Sequence, residues 1–239
     1  MQHIMVHEHR ANLLRRSILF GTPLMLGLLE IGHPLLDHMH PIKTVAPIAS
    51  WWIILHVLQI PLFGLMGCAF FLLLQGIHNR AANLSRCAVI IYISFAIGYD
   101  TVAGLSTGIL VSNARILPIA QQTVMQYSIR QLLASPAIDF SYLVLIIAGS
   151  VSICATAWAL FGAGIPLLPL FVLLGSLVTV YSHAVPFGPI GNAFFLLAVL
   201  WIELERQRLS DKEKNLEQVL PASEVPKNDD MHVLSREGS

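Results

Sequence analysis

Five ionisable side chains interrupt otherwise apolar stretches of this chain: Glu30, His33, His56, Asp100 and His183. Their types suit three chemistries. Neutral imidazoles beside a carboxylate form a site for a divalent metal such as zinc or iron, with a position left open for water or substrate. Two carboxylates in an apolar cavity can divide the work of a general acid and a general base, acting on an alkene, an epoxide or a leaving group. The same groups could also load and release protons during transport. The assignment that uses all five makes Glu30 and Asp100 the catalytic carboxylates and His33, His56 and His183 the metal ligands. No HExxH pair is present, and the three histidines belong to three different apolar runs. Haem held between His56 and His183 is the weaker cofactor expectation, because their estimated depths differ by about 8 Å along the helix axes.

Spacing sharpens the set. Glu30, His33 and Asp37 stand at i, i+3 and i+7, and Pro34 can bend a helix beside them. His56 and Gln59 share a face, and Ser176, Thr179 and His183 repeat the i, i+3, i+7 pattern. Asp100, Gly104, Thr107 and Gly108 lie along another run, where the two glycines make a small surface for close helix packing. At 1.5 Å per residue, Glu30 and His56 each lie roughly 9 Å below one boundary of their runs, His33 roughly 5 Å and Asp100 roughly 16 Å. The five thus fall in one layer toward one side.

Positioning such a layer requires helices in a bilayer. Only 12% of the 239 residues are charged and 55% are hydrophobic, with a mean hydropathy of +0.69. Soluble domains carry about 25% charged residues, so a soluble enzyme is excluded. A net charge of +0 likewise provides no basic surface for nucleic acid. Six runs approach the roughly 20 residues that cross a hydrocarbon core: Ser17 to Leu36, Ser50 to Leu74, Cys87 to Val111, Ile138 to Phe161, Pro166 to Ser182 and Phe187 to Ile202. The expected fold is therefore an all-α, polytopic membrane bundle of about six transmembrane helices. Nine basic residues flank the runs on one side (Arg10, Arg15, Arg16, Arg80, Arg86, Arg206, Arg208, Lys212, Lys214) against Lys43, Arg115 and Arg130 on the other. Both termini are then expected inside, with the site layer facing outward. The stretch from Ser112 to Ala137 reads either as an interfacial helix or as an irregular loop.

Acidic residues concentrate at the C-terminal end: nine of the 14 lie from Glu203 onward. The expected organisation is a cytoplasmic N-terminal segment over 1–16, a six-helix transmembrane domain over 17–202, and a cytoplasmic, largely disordered tail over 203–239, with a short helical continuation to about Leu216. Cys68, Cys87 and Cys154 lack paired spacing, which argues for neither disulfides nor a thiolate metal site. Together these features lead to a small multi-pass enzyme of the cell membrane acting on a lipid or other apolar substrate. A proton-coupled or metal transporter and a non-catalytic assembly subunit are the alternatives. The expected partners are membrane lipids, an apolar small molecule and, as a further option, a second copy of the chain.

Overall fold

The computed structural model describes residues 12–219; the N-terminal segment to residue 11 and the tail from residue 220 lie outside it. All regular structure among the described residues is helical, without strands. Helix α1 comprises a π turn, Ser17–Gly21, and the α-helix Thr22–Ile31. Among the described residues four helices are long and apolar enough to cross a membrane: α2 at Pro41–Leu73, α3 at Arg80–Ala114, α5 at Pro136–Gly162 and the Phe187–Lys212 part of α7. Between them come α4 at Ile119–Leu133 and the shorter apolar α6 at Leu167–Tyr181. Helix α7 continues in full from Phe187 to Val219. The described residues up to Ile202 belong to one compact unit and those over 203–219 to another. In the latter, Arg206–Glu203 and Arg208–Glu205 pair at i, i+3 separations.

Several boundaries depart from the sequence reading. The first run does not continue to Leu36. Gly32 follows the last helical residue, and His33 precedes Pro34, whose ring disfavours helical geometry at the residue before it. The C-terminal carbonyl left by this stop is satisfied from elsewhere: the Trp51 indole donates to Gly32 O at 2.9 Å. The Ser112 to Ala137 stretch is helical over most of its length. Its Ile129 and Leu133 are buried, whereas Ile119 and Val124 face outward, so the helical alternative is the correct one. The fifth run is broken at Ser176, and its helix ends at Tyr181, before His183.

Small residues draw α3 and α5 together. Ala82, Ser85 and Ala88 are buried on one side, and Gly149, Ser152 and Thr156 on the other. The Ser85 hydroxyl donates to the Ser152 carbonyl at 3.1 Å and pairs with the Thr156 hydroxyl at 2.7 Å. Close approach of small side chains with interhelical hydrogen bonds is how helices associate where burial of apolar surface supplies little drive. Three apolar clusters are present among the described residues. One gathers Leu26, Phe63, Phe70, Leu160 and Phe195; another gathers Ile42, Val45, Trp52, Val111 and Ile129; the smallest is Leu74, Ala82 and Ala159. Glu30, His33, His56, Gln59 and Asp100 are buried polar residues.

Candidate metal centre

Three imidazoles converge among these buried groups. One ring nitrogen from each of His33, His56 and His183 falls within 4.8 Å of the others. His33 comes from the irregular segment after α1, His56 from α2, and His183 from the loop before α7. His33 and His56 are almost fully buried, and the side chain of His183 is 29% exposed. His183 Nε2 lies 3.2 Å from His33 Nε2. The ring centroids of His56 and His183 are 6.5 Å apart, which overturns the expected 8 Å offset that placed them at different depths. His183 ends up here because the chain leaves α6 at Tyr181, so its position comes from a loop and not from the helical face that its spacing suggested.

The other nitrogens of two rings are committed. His56 Nδ1 donates to the Trp52 carbonyl at 2.7 Å, and His33 Nδ1 to the Pro34 carbonyl at 2.8 Å. A proton held on Nδ1 leaves the Nε2 lone pair free; His33 Nε2 lies 3.2 Å from His183 Nε2, and His56 Nε2 lies on the Asp100 side of its ring. Backbone carbonyls that fix the tautomer in this way are the usual outer support of a metal-ligating histidine.

Asp100 completes the layer. Its Oδ1 lies 3.7 Å from His56 Nε2 and 3.9 Å from His183 Nε2. Asp100 is only 2% exposed, yet neither carboxylate oxygen has a hydrogen-bond partner among the described residues. A buried carboxyl without donors either keeps its proton or pairs with a neighbouring cation. Tetrahedral zinc bonds of about 2.0–2.1 Å put neighbouring nitrogens about 3.3 Å apart. The His33–His183 separation of 3.2 Å matches that geometry, the full set of three nitrogens spreads over as much as 4.8 Å and would have to draw inward around an ion, and Asp100 stands about half an ångström beyond the tetrahedral spacing.

The backbone at Asp100 is a π segment, Asp100–Ser106, set into α3. Such insertions recur at functional sites because they alter which side of the helix a residue faces. Here the segment brings Gly104 against His56: a Cβ there would overlap the ring at Cδ2, Nε2 and Cγ. The Trp52 indole clamps the same point, donating to Gly104 O at 2.8 Å. Trp52 also packs against both rings, 5.1 Å from His33 and 4.7 Å from His56 between centroids. The small Gly104–Gly108 surface therefore serves packing, as its spacing suggests, with α2 as the partner.

Glu30 is separate from the histidine group. It is 1% exposed, and its Oε2 accepts from Asn192 Nδ2 at 2.6 Å. Two spaces meet at His183. A cleft of about 150 Å³ is lined by His33, His56, Asp100, His183, Trp52 and His38. A second cavity of about 30 Å³ holds Glu30, Tyr92, Ser152, Thr179, His183 and Asn192. The smaller volume is enough for a water or two. Compared with family models, curated proteins and solved structures, the chain matches none. The reading of the site therefore rests on its geometry.

All five site residues named from sequence lie in this region, but not on the surfaces their spacing implied. Glu30, His33 and Asp37 do not share a helical face, since the helix ends at Ile31. Asp37 is instead exposed and accepts from the His40 ring at 2.9 Å and from the Met39 amide at 2.8 Å. The His40 bond chiefly holds its carboxyl below the usual range. Gln59 is fully buried with neither amide atom partnered among the described residues. Sequence reasoning missed Trp52 and Asn192. Trp52 stands four residues before His56, one helical turn away, and that spacing was the available signal. Asn192 had only the weaker mark of an amide inside an apolar run.

Proposed function

We propose that this chain is a small multi-pass membrane metalloenzyme that holds one zinc-like divalent cation through His33, His56 and His183 and acts on a lipid or other apolar substrate. One observation carries the reading: three imidazole nitrogens converge, two with their tautomers fixed by backbone carbonyls, beside a buried carboxylate that has no other partner. The cation would supply Lewis acidity at an open coordination position. Asp100, just outside ligand distance, accepts a proton from water in the cleft. Glu30, oriented by Asn192, returns a proton to the leaving group from the smaller cavity. The cleft walls Leu36, Trp52 and Ala103 limit water and suit an apolar substrate.

We also propose six membrane crossings, with α1 and α6 joining the four long helices, both termini on the cytoplasmic side and the metal centre toward the outside of the cell membrane. The nine-to-three division of basic residues supports this orientation. Reporter fusions after residue 208 and near residue 82 should read cytoplasmic, and one near residue 125 external. An external reading after residue 208 would overturn the arrangement.

The catalytic part is tested by Glu30→Gln. The amide keeps the shape but cannot deliver the proton, so turnover of ester, amide or epoxide lipids in a substrate panel should fall at least about a hundredfold. Metal content and melting temperature should stay close to wild type. Full activity in this variant would remove Glu30 from the mechanism. Metal passing through proteoliposomes without turnover of any panel member would favour a transporter.

A further inference from the structure

The cleft at the histidine cluster is lined by one further imidazole, which the proposed chemistry does not use. His38, exposed, lines the same cleft as His33, His56, Asp100 and His183. It belongs to the irregular segment between α1 and α2, in the run Asp37-His38-Met39-His40. Asp37 organises this segment: its Oδ1 accepts the Met39 and His40 amides at 2.8 and 3.2 Å, and its Oδ2 accepts from His40 Nδ1 at 2.9 Å. The proton on His40 Nδ1 leaves its Nε2 lone pair available on an exposed ring, the carboxylate–histidine arrangement that prepares an imidazole for a metal ion. Thus an exposed, oriented imidazole and a second one lining the cleft accompany the buried His33 and His56 and the half-buried His183.

We propose that the Asp37–His40 segment is a metal-loading site, at which His40 and His38 capture a divalent cation of the zinc class and pass it down the cleft to His33, His56 and His183. The role rests on the metal-centre reading above. Imidazole suits zinc, copper, nickel and iron, whereas magnesium and calcium prefer oxygen donors, so the segment also selects the class of ion that enters. Five residues of chain span at most about 17 Å, so His38 and His33 are joined by a short tether. An ion held on the segment meets the buried nitrogens at an effective concentration on the order of millimolar, far above its free level. Capture therefore accelerates filling without adding a ligand to the final site.

The test follows zinc uptake. Full-length protein in detergent is stripped with chelator and mixed with Zn(II) buffered at submicromolar free concentration, and both the initial rate and the final zinc per chain are measured. The double variant His38→Ala/His40→Ala should load about tenfold more slowly and reach the same endpoint. Both side chains are exposed, so the fold should be retained. His78→Ala, in the turn between α2 and α3, should load at the wild-type rate. Equal rates for the double variant and wild type would overturn the loading role and leave the metal centre standing. A lowered endpoint would overturn it differently, by making His38 or His40 a ligand of the centre itself. Wild-type protein that takes up no zinc would remove the metal-centre reading, and the loading role with it.

Discussion

Protein purified in detergent with zinc present should carry about one metal ion per chain, and His56→Ala should carry none. His56 is the most constrained of the three histidines. Its Nδ1 is tied to Trp52 O at 2.7 Å, its ring packs on Trp52, and its Nε2 lies 3.7 Å from Asp100 Oδ1. Removing it deletes a donor and also leaves Asp100 facing an apolar gap. A ligand that binds only the folded state at a free concentration 100 times its dissociation constant stabilises that state by about 2.7 kcal/mol. Wild-type protein should therefore melt at a lower temperature once chelator is added, while His56→Ala should melt at the same low temperature with or without it. Elemental analysis and a thermal-shift series together read both effects. A chelator-insensitive wild type without bound metal would show that the histidines and Asp100 only tie helices together, a role worth about 0.6 kcal/mol per interaction in measured membrane proteins.

The second large effect is expected from a single methyl group. Gly104→Ala places a Cβ where the His56 ring lies. Neither side can yield readily: the Gly104 carbonyl is gripped by the Trp52 indole, and the ring is held by the Trp52 carbonyl. Forcing an atom into such a contact costs about 1–3 kcal/mol, and relief by rotation of His56 withdraws its nitrogen from the cluster. The variant should lose both stability and bound metal. Gly64→Ala and Gly98→Ala, on the same two helices, are the controls, because a Cβ at either meets nothing within 4 Å. Alanine in those open helical positions is expected to be neutral or to stabilise by up to about 1 kcal/mol. Metal binding unchanged in Gly104→Ala would mean that His56 does not need its observed position.

The contrast between these glycines shows what the sequence made legible. Ionisable residues in apolar runs are costly, so Glu30, His33, His56, Asp100 and His183 stood out by type alone. Depth counted along each run brought them to one layer. What failed was every inference that carried a regular helix through an irregular point. The turn at Gly32 and Pro34 turned a presumed helical face into a buried glutamate and a separate, exposed Asp37. The break at Ser176 and the end of α6 carried His183 into the cluster from a loop. Nothing in the composition of Asp100–Ser106 distinguishes a π segment from an α-helix, since the difference is one residue of phase imposed by packing. Gln59 was visible as a polar neighbour of His56, but its lack of partners is a property of the folded surroundings.

That one residue of phase makes Asp100 addressable by chain length. Each residue turns an α-helix by about 100°. Deleting a single position within 101–103 would let this stretch close as an ordinary α-helix while swinging Asp100 relative to Gly104 and Gly108. The carboxylate would then leave the three imidazoles even though every side chain of the centre remained in the sequence. The proposed centre would thus be lost through the count of residues alone, with every residue assigned to its chemistry still present.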